Sequence, residues 1–214
     1  KATLSGTAIS NFDTDTRSDV AVYRPSTGTW FALTTSPAAF TVTQFGEAGD
    51  EPAPGDYDGD GRTDHAVFRP SNGTWYLKNS TGSFEVRPFG QAGDVPVPGD
   101  YDGDLRNDLA VWRPSNGNWY VQGSTAIFTV TNFGVAGDKP AQGDFDADGK
   151  TDIAVFRPSN GSWYILTSAN PSFSITAFGE SGDLPVQADY DGDGRTDIAV
   201  FRPSNGTWYR LTAT

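Results

Sequence analysis

One unit is written five times in this chain. Aligned on an aspartate-rich stretch, the copies read NFDTDTRSD (11–19), DYDGDGRTD (56–64), DYDGDLRND (100–108), DFDADGKTD (144–152) and DYDGDGRTD (189–197). Their last aspartates, Asp19, Asp64, Asp108, Asp152 and Asp197, fall 45, 44, 44 and 45 residues apart. Each is followed by a short apolar run ending in Arg-Pro (VAVYRP, HAVFRP, LAVWRP, IAVFRP, IAVFRP), then Ser-Asn/Thr-Gly, two further short segments and a connector of the form AGDxP. A period this regular means that one supersecondary unit is copied, and that its apolar faces are buried against its neighbours.

Each unit reads as four strands. In the second copy EPAPGDY is held extended by its prolines, and HAVFR is compact and β-rich. Pro70-Ser71-Asn72-Gly73 supplies a hairpin, TWYLKN follows, Thr81-Gly82 turns again, and SFEVRPF closes the unit. No segment carries a helical apolar period or helix caps, so the chain is expected to be all-β. Four strands in about 45 residues is the spacing of propeller blades. Blades stacked face to face bury both sides of each sheet, which explains why Trp75 and Tyr76 are adjacent: neighbouring strand residues point to opposite faces. The repeats are placed at approximately 1–46, 47–90, 91–134, 135–179 and 180–214, as one domain. The last copy ends at TWYRLTAT, its third strand. Its open edge is expected to be patched by Lys1–Ser5 or completed by a neighbouring molecule.

The acidic stretches have the composition of a cation cage. Oxygen donors at positions 1, 3, 5 and 9 of a tight loop, with a backbone carbonyl at 7, suit a hard cation, and calcium accepts six to eight such oxygens in flexible geometry. No cysteine and a single histidine, His65, leave almost nothing for zinc or copper. An EF-hand would need glutamate at position 12 and flanking helices; here the last aspartate arrives at position 9 between strands. The candidate metal residues are Asn11, Asp13, Asp15, Arg17 and Asp19; Asp56, Asp58, Asp60, Arg62 and Asp64; Asp100, Asp102, Asp104, Arg106 and Asp108; Asp144, Asp146, Asp148, Lys150 and Asp152; and Asp189, Asp191, Asp193, Arg195 and Asp197, the basic residues through their carbonyls. These loops hold 19 of the 27 acidic residues, so five calcium ions would take the formal charge from −12 to −2. The acidity is thus mostly ligand charge, and it argues against nucleic acid or an anionic membrane as partner.

The string FGEAGDEPAPGDYDGDGRTDHAVFRP resembles an FG-GAP repeat, bacterial VCBS-type relatives included, the unit of integrin α-subunit propellers. The Phe-Gly pairs at 45–46, 89–90, 133–134 and 178–179, the Gly-Asp and Pro that follow, and the DxDxDGxxD loop carry the likeness over essentially the whole chain. The resemblance implies a β-propeller with Ca²⁺ between the first and second strands of a blade, held by the side chains of Asp56, Asp58, Asp60 and Asp64, the carbonyl of Arg62, and their equivalents. Family propellers commonly have seven blades; five repeats leave closure of the ring open. Two loops depart from the pattern. Copy one has Asn11 and Thr16, and copy three has Leu105 where glycine is expected; loops 56–64, 144–152 and 189–197 are expected to bind most tightly and 11–19 most weakly.

Catalysis finds no support: nearly every polar residue recurs five times, whereas a catalytic site is singular. His65 replaces an aliphatic residue of the other copies and is expected to be a core or rim residue. The expected role is a calcium-binding structural or protein-interaction module. The alternative is a lectin with sugar sites between blades, for which Trp30, Trp75, Trp119, Trp163 and Trp208 are the candidates; the same residues read first as core, since buried aromatics are the main source of stability in so polar a sequence. Variable positions such as Gln44, Arg87, Asn132 and Ala177 are where a single partner would be read. A protein or carbohydrate ligand and self-association through the open edge are the expected partners. Modest-affinity calcium loops point to an extracellular or cell-surface setting, where the free ion is abundant. The apolar runs are too short to span a membrane, and Lys1 with no methionine anywhere suggests a portion of a longer polypeptide.

Overall fold

The computed structural model describes residues 10–13, 15, 17–169 and 173–211. It is an all-β, five-blade propeller with no helix among these residues. The first blade is β1 (Val20–Arg24), β2 (Thr29–Thr35) and β3 (Ala38–Gln44). The second is β4 (Glu51–Pro52), β5 (His65–Arg69), β6 (Thr74–Lys78) and β7 (Phe84–Pro88). The third is β8 (Val95–Pro96), β9 (Leu109–Arg113), β10 (Asn118–Gln122) and β11 (Phe128–Asn132). The fourth is β12 (Lys139–Pro140), β13 (Ile153–Arg157), β14 (Ser162–Leu166) and β15 (Phe173–Ala177), and the fifth β16 (Leu184–Pro185), β17 (Ile198–Arg202) and β18 (Thr207–Leu211). Every sheet is an antiparallel meander in sequence order. The first strand of copy one and the Lys1–Ser5 patch lie outside the described residues. Among the described residues blade five is the three-stranded sheet β16–β18.

Register explains the two-sided core. Phe68 lies opposite Trp75 and Ala66 opposite Leu77, on one face; Val67 lies opposite Tyr76 and Arg69 opposite Thr74, on the other. The Trp/Phe/Ala face of each blade meets the Val/Tyr face of the next: Trp75, Phe68 and Ala66 pack with Val111, Leu109 and Tyr120. Trp119, Trp112 and Ala110 do so with Val155, Ile153 and Tyr164, and Trp163 and Phe156 with Val200, Ile198 and Tyr209. The Phe-Gly turn is clamped from both sides. Phe89 N–H donates to the Gly73 carbonyl, and its own carbonyl accepts the indole N–H of Trp75 at 2.9 Å. A Cβ on Gly73 would sit 2.4 Å from the Gly90 carbonyl carbon, so the hairpin glycine is required as much by contact as by its φ of 67°.

The repeated arginines also turn inward. Arg69, Arg113, Arg157 and Arg202 each form a two-pronged ion pair with the connector aspartate nineteen residues earlier, Asp50, Asp94, Asp138 and Asp183. Each guanidinium also lies over the neighbouring tyrosine ring, 4.1–4.5 Å from its centroid. The aspartates are buried, and their second oxygen also accepts the amide of the residue three before. Arg202 in turn holds the Asp183 carboxyl below its ordinary value. His65 sits between blades one and two, with the Phe12 and Trp30 rings 5.1 and 5.4 Å away. Burial, with Lys78 nearby, pushes its imidazole down to about 4.

Two outcomes are expected. Arg113→Ala leaves the Asp94 carboxylate buried without its partner and should cost about 3–5 kcal/mol in chemical denaturation; a loss below 1 kcal/mol would show the pair to be dispensable. His65 is favoured neutral in the fold, so its contribution is complete above its unfolded value of 6.5 and is lost as pH falls toward 4. Wild type should therefore lose stability relative to His65→Leu across that window, and parallel pH curves for the two would contradict the placement.

Candidate metal centres

In blades two to five the acidic loop joins the short first strand to the second. Position 9 anchors it. Asp64 is buried, and its two oxygens accept the amides of Tyr57 and Ser80 at 2.8 and 2.6 Å. Asp108 and Asp152 repeat this with Tyr101 and Ser124, and with Phe145 and Ser168. Position 1 is fixed by its own loop: Asp56 accepts the amides of Gly59 and Gly61, and Asp100 those of Gly103, Asp104 and Leu105. Position 3 adds a third carboxylate, Asp58 accepting the Thr81 hydroxyl and Asp102 that of Thr125.

The result is four trios, Asp56/Asp58/Asp64, Asp100/Asp102/Asp108, Asp144/Asp146/Asp152 and Asp189/Asp191/Asp197, each offering oxygens within 4.8 Å of one another. These could hold a metal ion. Two observations support the fit. One oxygen each of Asp102 and Asp146 is buried and has no hydrogen-bond partner, a costly state for a carboxylate unless a cation completes it. Burial, with the neighbouring carboxylates adding to it, also pushes Asp64, Asp108 and Asp152 up to about 6. The metal-free fold therefore prefers these groups protonated and loses stability as pH rises from about 4 to about 6, while protons compete with a cation below about 6.

Position 5 behaves differently from expectation. Asp60, Asp104, Asp148 and Asp193 stand outside the trios. Each accepts the amide of position 7, from Arg62, Arg106, Lys150 and Arg195. The first three also accept a serine hydroxyl, from Ser80, Ser124 and Ser168. Those bonds turn the carboxylates toward the neighbouring turn. The first loop keeps the anchor, Asp19 accepting the amides of Phe12 and Thr35, and departs at position 3, where Asp13 accepts the amides of Thr35 and Ser36 as well as that of Asp15. Asp15 takes the Arg17 amide and the Thr35 hydroxyl. The amides, that of Asp15 first, hold Asp13 below its ordinary value. Backbone N–H groups thus neutralise part of the charge on Asp13. One acceptor remains open, the buried Asn11 side-chain oxygen; Thr16 lies outside the described residues.

Loop strain is shared by two positions, where the sequence pointed to one. Gly61, Gly149 and Gly194 at position 6 have φ of 83–87°, and Leu105 adopts 70° in their place. Position 4 is left-handed too, with Gly59, Gly103 and Gly192 near 80° and Ala147 at 62°. Loop 144–152 therefore carries a left-handed non-glycine residue at Ala147, as 100–108 does at Leu105, whereas 56–64 and 189–197 carry none. The loops are also tied together in series. The position 8 amides of Thr63, Asn107, Thr151 and Thr196 donate to the position 1 carbonyls of Asn11, Asp56, Asp100 and Asp144, all at 2.6 Å.

The FG-GAP-like repeat family matches residues 56–111 and 144–200, just over half of the chain. The chain belongs to that family. Among solved structures, this FG-GAP repeat protein is similar to a streptogramin B lyase (TM-score 0.55, 11% identity, 92% of this chain and 65% of the lyase). It is similar also to virginiamycin B lyase from Staphylococcus aureus (TM-score 0.55, 10%, 92% and 67%) and to TolB from Acinetobacter baumannii (TM-score 0.55, 17%, 92% and 52%). At these identities the likeness is one of fold. The chain spans about two thirds or less of the length of each. No curated protein sequence matches it.

The tryptophans are not a ligand platform. Trp30, Trp75, Trp119 and Trp163 are buried, and each indole N–H is consumed by the carbonyl of a Phe-Gly turn; only Trp208 is exposed. The aromatics that do face outward are Phe40, Phe84, Phe128 and Phe173 on the outer strands, 55–67% exposed. Three of them touch the Phe-Gly phenylalanine of the preceding blade. Their spacing of 44–45 residues was the signal that could have found them. Register also makes Pro88, and not Arg87, the equivalent of Gln44, Asn132 and Ala177.

Leu105→Gly and Ala147→Gly each release a left-handed residue and should stabilise the chelated protein by ~1–2 kcal/mol in urea titration. No gain from either would mean that the loops relax the strain some other way.

Proposed function

We propose that this chain is a calcium-binding, non-catalytic propeller serving as a structural or protein-interaction module of a larger extracellular protein. The four aspartate trios, with the unpartnered buried oxygens of Asp102 and Asp146 in two of them, carry the reading. All donors are hard oxygens, and His65, the one nitrogen ligand available, packs between aromatic rings away from them; calcium fits such a set better than zinc. When bound, the ion supplies the positive charge that lets three carboxylates share a loop. The position 9 carboxylates Asp64, Asp108 and Asp152 are held by amides of two different turns, so occupancy joins the start of a blade to its β-turns. The outward phenylalanines between blades support an interaction surface, apolar and repeated. A propeller whose polar groups recur in every blade gives a reactive centre no distinct place, and the lyases named above lend only their fold.

A sugar-binding role is the second reading. Having lost its tryptophans, it rests on a shallow cleft of about 270 Å³ between blades three and four, lined by Phe133, Tyr164 and Phe173 with Asn132 and Arg157. A glycan array with and without calcium separates the two readings.

Chelation should lower the melting temperature by many degrees, and calcium should restore it. Metal analysis should find four tight sites, with 11–19 filling last. Asp102→Asn should remove one ion and leave the other three. An unchanged melting temperature in chelator would overturn the calcium reading.

A further inference from the structure

The two ends of the array are unlike, and each is half of a junction the chain builds four times over. Trp30, Trp75, Trp119 and Trp163 are 0–3% exposed because the next blade covers them, whereas Trp208, at the same position of blade five, is 61% exposed. On the opposite side Val67, Val111, Val155 and Val200 are 0–1% exposed beneath the preceding blade, whereas Val22 of blade one is 59% exposed and Val20 beside it 69%. Among the described residues, then, no blade covers the Trp208 face of blade five or the Val22 face of blade one. The chain of loop hydrogen bonds is open at the same place. Its next members in series are the carbonyl of Asp189 and the amide of Ser18, both exposed residues, and neither group makes such a bond among the described residues.

We propose that this chain associates head to tail with a second copy of itself, the Phe201/Trp208 face of blade five seating on the Val20/Val22/Phe31 face of blade one of the neighbour. The blade-five face is already shaped for it. Phe201 and Trp208 hold a tilted pair at 5.5 Å and 48°, the arrangement of Phe68 with Trp75 and of Phe156 with Trp163 inside the molecule. A second copy brings what this face meets elsewhere: an inner-strand valine, an aromatic ring opposite it in register, and a position 8 amide. Arg210 stands where Leu77 stands in blade two. Its guanidinium donates to the Tyr190 carbonyl, a polar rim to an apolar centre. Because the two faces differ, Trp208 cannot be matched by Trp208 of the partner. The contact is heterologous, and each added copy presents a fresh free end until a ring closes.

The test is sedimentation of the full 214-residue chain from micromolar to near-millimolar concentration, with calcium. Wild type should form concentration-dependent multimers. Trp208→Glu and Val22→Glu should each be monomeric, because each removes one half of the junction. Mixed in equal amounts they should give heterodimers and nothing larger, since the intact blade-five face of one meets the intact blade-one face of the other. Trp208→Ser and Val20→Glu serve if either glutamate variant unfolds by circular dichroism. A wild type that stays monomeric throughout overturns the proposal. So does association that survives both substitutions, which would place the contact at the β18 edge, or a mixture that stays monomeric.

Discussion

The burial of an indole ring by the following blade governs most of what this chain does. A 45-residue unit cannot bury a tryptophan, a phenylalanine and an alanine column by itself, since its sheet is one layer thick. The next copy supplies the cover, and offers a different face, valine and tyrosine, to receive it. That asymmetry gives the array a direction. It also fixes the indole N–H on the Phe-Gly carbonyl, so the family's signature dipeptide is the acceptor that makes a buried tryptophan tolerable. Loss of one ring, with the cavity it leaves, costs ~3–5 kcal/mol, and in a stack each loss falls on two blades.

The loops set charge against that packing. Three carboxylates per loop are drawn together by amides from two turns, and the same amides stop short of satisfying every oxygen. Copy one has asparagine in place of the first carboxylate, and the Thr35 and Ser36 amides add to the neutralisation of Asp13. The repeated arginines resolve a third cluster of charge, on the connector aspartates, without any ion.

Much of this was legible in the sequence. The period gave the blades, the Trp-Tyr adjacency gave two buried faces, and the spacing of Asp56, Asp58 and Asp64 gave their convergence. What escaped was conformational. Nothing in the letters says that Asp60 turns toward Ser80, a partner twenty residues away on another turn. Nor does a missing glycine at position 6 reveal that position 4 has the same requirement, as Ala147 shows through its φ. The pairing of Arg113 with Asp94 was hidden because both recur with the same period, so any offset between them looks equally regular. The outward phenylalanines were overlooked because a β-rich segment with alternating apolar residues reads as core until its neighbours are placed.

The serial bond from each position 8 amide to the position 1 carbonyl of the unit before it bears on how such a gene can change. Every junction uses the same donor, the same acceptor and the same pair of faces, and copies two and five share an identical nine-residue loop. Recombination that slips by one whole copy joins a donor to an acceptor it already fits, leaving all junctions intact and only the number of blades altered. Slippage by any other length would strand a carbonyl, a tryptophan and an aspartate trio at once. Lineages carrying this unit can thus lengthen or shorten in whole steps.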